Sequence, residues 1–457
     1  MAGIVALYNL CSQGNILHLL LHSMRMLQHR GKAYWSITVG NNTASGEGSL
    51  LSEPQMLKIA EKEKLYGLAG LGYLSKRSPR FHSMAAIRVA LDGFFVDTEK
   101  LHLHPQIGPA KDSDSLFKIY YIFTQLLKEQ SHPERAAEFL DRHLRGNMII
   151  KLEDDIYAYR NSGGFKPLVS ATNNDRSFVM IASENSLHTS LTDMDFKDVR
   201  PGQLLKLNRK NGLEVLAYLP QARILMDPFE FIRESHVASI VNNKSIYAIR
   251  KNIGKEQGNF LGNEITIDSA YAEPDYTRPM TQGFSLEYER YSRSFEISEG
   301  IIKDRYDDSD HMIDFSELVS KNKLLTTGRS LKFVMQDQVK DKKIASIQGT
   351  IQTGSTARET LYYLRKAGAN HIDIIVSYVP TVDGRQVGLY TQNRDLIANK
   401  YVGEATSIEQ LNEQVGKEIG TDALYYNSPS ILARGIGVSE YELWFPEWVR
   451  YLDYHKR

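Results

Sequence analysis

Residues 343–376 read strand, loop, helix, strand, and few folds accept that order. Lys343-Ile344-Ala345-Ser346-Ile347 alternates into an apolar run, and a Gly/Thr/Ser loop follows it. Residues 356–367 then carry Leu361 and Leu364 at helical spacing and stop at Gly368. Residues 371–376 form a second strand-like run, so the pattern predicts two parallel strands joined by a crossover helix. A further helix is expected over 407–419, with Leu411, Val415 and Ile419 on one face and Gly420 at its end. The first half reads differently. Short β-rich runs at 3–7, 36–39, 148–151, 156–159 and 178–182 are separated by turn signals such as Asn161-Ser162-Gly163-Gly164 and Pro201-Gly202. Amphipathic helices are expected at 18–29 and 115–127. Together these predict an α+β stack of sheets over 1–225 and an α/β domain over 226–457.

Composition narrows the function classes. Over 457 residues, 55 Lys and Arg balance 55 Asp and Glu, so net charge points to neither nucleic acid nor an anionic membrane. No apolar run approaches the roughly 18 residues of a membrane span, and the first residues carry no basic region of a secretory signal. The one cysteine, Cys11, excludes an internal disulfide framework, a four-cysteine zinc site and a cysteine-ligated iron–sulfur cluster. A cytoplasmic protein is expected.

Ordered motifs run along the chain. Met1-Ala2-Gly3-Ile4-Val5 precedes Leu27-Gln28-His29-Arg30-Gly31. Then come Gly163-Gly164-Phe165-Lys166-Pro167-Leu168, Ala182-Ser183-Glu184-Asn185 and Val199-Arg200-Pro201-Gly202. Pro274-Asp275-Tyr276-Thr277-Arg278-Pro279, Glu299-Gly300-Ile301-Ile302-Lys303-Asp304-Arg305-Tyr306 and Gly420-Thr421-Asp422-Ala423-Leu424 complete the series. In this order they resemble the glutamine phosphoribosylpyrophosphate amidotransferase (amidophosphoribosyltransferase) family. That resemblance implies an N-terminal nucleophile (Ntn) hydrolase-like sandwich that frees ammonia from glutamine. It also implies a type I phosphoribosyltransferase-like domain that places the ammonia on an activated ribose in purine synthesis.

Site positions depart from the family pattern. Where the family has its thiol nucleophile stands Ala2, which cannot attack a carbonyl. The arginine that clamps the substrate carboxylate is replaced by Ser75; Lys76 is one place away, with the wrong direction on a strand. The asparagine that donates to the oxyanion becomes Asp92, and losing such a donor costs roughly 10²–10³ in rate. Tyr34 and Trp35 stand where the family has small residues, as core filling or as occupants of the vacated pocket. A lone Ala2 would suit a deliberately inactivated enzyme, but these departures together argue for native loss.

The transferase motif is altered as well. The acidic pair that holds the ribose hydroxyls is replaced by Gln348 and Gly349, and the pyrophosphate loop carries Tyr276 and Thr277. An acidic run, Asp307-Asp308-Ser309-Asp310, follows Tyr306. Thr353, Gly354, Ser355, Thr356 and Ala357 keep the character of a phosphate cradle at a helix start. No cofactor is expected, with neither an iron–sulfur cluster nor bound magnesium.

The expected role is therefore a non-catalytic structural or regulatory subunit, oligomeric with an active homologue and open to a nucleotide effector. An altered transferase or amidotransferase, using ammonia or completed by a partner chain, is the alternative. Near the end, Trp444, Phe445, Trp448 and Tyr451 are candidate interface anchors, with Pro446 opening a short helix.

Overall fold

The computed structural model describes residues 2–11, 13–76, 88–99, 101, 115–128, 132–221, 223–303, 332–388, 391–452 and 454. They divide into two compact units, Met1–Glu230 with Glu234–Lys244, and Phe231–Arg233 with Ser245–Arg457.

In the first unit four strands carry the site: β1 (Ala2–Asn9), β2 (Tyr34–Val39), β3 (Ala69–Ser75) and β4 (Val89–Phe95). The first three lie in a seven-stranded sheet in the spatial order β1, β3, β2, and β4 is an edge of a five-stranded sheet. Neighbouring strands are antiparallel in both sheets. Alternation along β1 divides two cores. Ala2, Ile4, Ala6 and Tyr8 face the second sheet, whereas Val5 and Leu7 face α1 (Leu17–Met26) and α2 (Glu53–Lys62). Helices α3 (Ser115–Lys128) and α4 (Pro133–His143) join the core on the side of the second sheet through Leu116, Ile119, Phe123 and Leu140. The helix expected over 18–29 ends at Met26, and Gln28–Arg30 forms a separate 3₁₀ turn. That tightening drops Arg30 into the interior, where it is fully buried.

Arg30 uses all five of its guanidinium N–H groups. Nε donates to the Ala2 carbonyl at 2.9 Å, and Nη2 to Asp92 at 2.8 Å and Glu230 at 2.9 Å. Nη1 donates to Glu230 at 3.1 Å and Glu184 at 3.4 Å. Lys166, equally buried, donates to Asp227 at 2.6 Å and Glu230 at 2.8 Å. Glu184 also receives His29 at 2.5 Å, the His236 amide at 2.7 Å and the Ser239 hydroxyl at 2.5 Å. Burial pushes the Glu184 carboxyl up, but His29, Arg30 and Ser239 outweigh it and bring it to about 2. Burial lifts Asp227 to about 6 against the pull of Lys166.

In the second unit, β5 (Ser269–Ala272), β6 (Lys343–Gln348), β7 (His371–Val376) and β8 (Ala423–Tyr426) form a parallel sheet in that order. Helix α5 (Ser355–Lys366) connects β6 to β7, and α6 (Ile408–Ile419), capped by the Ser407 side chain, precedes β8. The C-terminal segment packs on this same unit. Leu443, Phe445, Val449 and Leu452 are buried, and the Trp444 ring lies 5.7 Å from the Arg385 guanidinium. The Tyr454 ring contacts Phe260 at 4.5 Å, and its hydroxyl donates to the Tyr426 carbonyl at 2.5 Å. The Tyr426 amide donates to Asn412 at 3.1 Å. Among the described residues no helix is long and apolar enough to cross a membrane.

Two outcomes are expected from the buried charges. Arg30→Met leaves Asp92, Glu184 and Glu230 without their shared cation and should cost about 3–5 kcal/mol in urea unfolding. Glu184 ionises at about 2 in the fold and near ~4.3 when unfolded. Its stabilisation is thus complete above pH ~4.5 and lost as pH falls toward 2, on the order of 3 kcal/mol. Melting midpoints across that window should fall steeply for the native chain and less steeply for Glu184→Gln.

Candidate functional sites

The first site is built where β1, β3 and β2 begin or end side by side. Ala2 pairs with Ser75, and Ser75 pairs on its other side with Tyr34. Ala2 is fully buried, and its amide donates to Asp92 Oδ1 at 2.9 Å. The other oxygen of Asp92 takes Arg30, so both carboxylate oxygens are engaged by the chain itself. Ala2 is thereby clamped at both ends of its peptide unit, amide to Asp92 and carbonyl to Arg30. Its methyl side chain gives this position no acid, base or nucleophile.

Ser75 is buried on the line between Ala2 and Tyr34. Lys76 turns away, and its ammonium sits 2.6 Å from Glu234. Tyr34 shares the inter-sheet face with Ala2 and meets Tyr73 edge-on, with ring centroids 6.2 Å apart. Burial raises the Tyr73 phenol to about 12 against a hydrogen bond with Ser75. Trp35 points the other way, into the core beneath α1 and α2. Consecutive strand residues face opposite sides, so the two aromatics do not share a pocket. Cys11 is exposed beyond the opposite end of β1.

The sequence reading missed the ion network around Ala2. Arg30, Lys166 and Glu184 lie within motifs that served only as marks of resemblance. Asp227, Glu230 and Glu234 sit three to four residues apart in a stretch that also holds Phe229, Phe231, Ile232 and Arg233, and that spacing was the available signal.

The second site lies at the carboxyl end of β6. Gln348 is buried, its carbonyl accepts the Ser377 amide at 2.7 Å, and its side-chain Nε2 has no hydrogen-bond partner. Gly349 follows, with the Tyr276 ring against it. Gly354 takes φ +80°, a left-handed value that suits glycine, and α5 starts at Ser355. The hydroxyls of Thr353 and Ser355 bond each other at 2.5 Å, Thr356 is exposed and Ala357 is buried. Arg358 donates to the Thr353 carbonyl at 3.2 Å and approaches Glu418 at 3.6 Å. Asp304, Arg305, Tyr306 and the acidic run 307–310 lie outside the described residues.

Of the tail residues, Phe445 is buried, Trp444 and Trp448 are half-buried, and Tyr451 is 78% exposed. Among the described residues, no three His, Cys, Asp or Glu side chains are grouped to hold a metal ion.

No family model matches the chain. Curated relatives do. An amidophosphoribosyltransferase of Methanothermobacter thermautotrophicus is 22% identical over 96% of this chain and 91% of its own length. That of Methanocaldococcus jannaschii is 23% identical over 96% and 94%. Among solved structures, a glutamine phosphoribosylpyrophosphate amidotransferase from B. subtilis, complexed with ADP and GMP, superposes with a TM-score of 0.73. It is 20% identical and covers 95% of this chain and 92% of that one. A structure described as the allosteric regulatory enzyme of purine biosynthesis gives the same score at 19% identity, over 96% and 94%. The chain is a homologue of the amidophosphoribosyltransferases over nearly all its residues, with an Ntn hydrolase-like sandwich followed by a type I phosphoribosyltransferase-like α/β unit.

Proposed function

We propose that this chain is a catalytically degenerate amidophosphoribosyltransferase homologue that serves as a non-catalytic structural or regulatory subunit beside an active one in purine biosynthesis. The observation that carries the reading is the closed pairing at the start of β1. Asp92 and Arg30 hold the Ala2 backbone, and Asp92 spends both oxygens doing so. An ionised carboxylate there donates nothing to a developing oxyanion and repels it by on the order of 4 kcal/mol at 4 Å and intermediate dielectric. Ser75 offers no bidentate clamp for a substrate carboxylate.

The transferase unit supports the same reading. Gln348 and Gly349 bring no carboxylate to the end of β6, so these residues do not fit a magnesium-bound sugar diphosphate. The 353–357 turn keeps hydroxyls and backbone N–H groups for a lone phosphate. The B. subtilis structure carries ADP and GMP, which supports a nucleotide as effector here. Exposed Tyr451 and half-buried Trp448 are the tail residues proposed to meet the partner, whereas Phe445 holds the tail to its own unit.

Two measurements test this. Ala2→Cys should release no glutamate from glutamine above background, because Ser75 and Asp92 remain; turnover at the rate of an active homologue would refute the reading. Co-expressed with an active homologue, the native chain should co-purify, and Trp448→Ala/Tyr451→Ser should weaken that association roughly tenfold or more. Failure of the native chain to associate, with the homologue fully active alone, would end the subunit reading.

A further inference from the structure

Tyr276 and Gly349 follow the carboxyl ends of adjacent parallel strands, β5 and β6, the place where open α/β sheets take their ligands. They occupy one space. A Cβ at position 349 would lie 2.2 Å from Tyr276 Cε2, 2.4 Å from its hydroxyl oxygen and 2.6 Å from Cζ. Gly349 is not among the glycines with positive φ, so its backbone would accept any residue. What demands glycine at this strand end is the neighbouring ring.

The ring is also held. The Arg233 guanidinium lies 5.2 Å from its centroid, within cation–π range. The next residue, Thr277, is fully buried and donates to the Glu273 carbonyl at 2.5 Å, while the Glu273 carboxylate takes the Thr360 hydroxyl of α5 at 2.7 Å. The turn that carries Tyr276 is therefore tied at both sides to the strand and the helix that frame the site.

We infer that Tyr276 is a built-in occupant of this pocket: it fills the space over Gly349 and shuts a phosphorylated sugar out of the sheet end. The inference rests on the proposed reading of this unit as a silenced transferase site, and it names the side chain that does the silencing.

The test is a double-mutant cycle with a binding measurement on the full chain. Gly349→Ala should lower the melting midpoint by about 2–10 °C in the native background, and by less than a third of that with Tyr276→Gly. An equal drop in both backgrounds would show that the ring is not what excludes a side chain there. By calorimetry, ribose 5-phosphate should bind the Tyr276→Gly variant roughly tenfold or more tighter than the native chain, since the closed state is removed. Tyr276→Ser repeats both arms should the glycine variant fold poorly. Equal binding, or weaker binding in the variants as expected of a stacking platform, would overturn the occupant and leave the subunit reading standing. Glutaminase turnover by the native chain would do the reverse, and transferase turnover would overturn both.

Discussion

Arg30 decides the interior of the first unit. One planar cation spends five donors on the first residue of β1, on β4 through Asp92, on Glu184 after a sheet strand, and on Glu230. No lysine matches that geometry, because three tetrahedral donors on one nitrogen cannot reach four separate groups in a plane. Buried ions of this kind give little net stability over an apolar core, yet removing one partner strands the others. The network therefore fixes register and position more than it adds free energy. With it in place, Ala2 has one location and the strands around it one alignment.

The two candidate sites share one feature. In each, the residues singled out from the sequence contact other parts of the same unit. Asp92 is held by Ala2 and Arg30, one hydroxyl of the Thr353–Ser355 pair donates to the other, and the space over Gly349 is taken by Tyr276.

Much of this was legible in the sequence where the signal is local. The strands at 178–182 and 371–376 fall where the alternation placed them, and the helix over 407–419 begins after its serine cap. The order of motifs carried the two-part fold. What could not be read is what depends on distant neighbours. Arg30 and Glu230 are 200 residues apart in the chain, and Tyr276 meets Gly349 only because β5 and β6 are adjacent. Charge pairing and volume exclusion at such separations leave no period in the sequence. The opposite facing of Tyr34 and Trp35, by contrast, follows from strand alternation alone once β2 is recognised.

The C-terminal tyrosine has a further effect on the molecule as a solute. Strand β8 is an outer strand of a parallel sheet, and outer strands expose backbone groups on which foreign strands can grow. At its last residue, Tyr426, the amide is met by Asn412 and the carbonyl by the Tyr454 hydroxyl. Side chains thus hold the donor and the acceptor that a new strand would need there. A foreign strand would have to displace both side chains to pair with the backbone at that end of the rim.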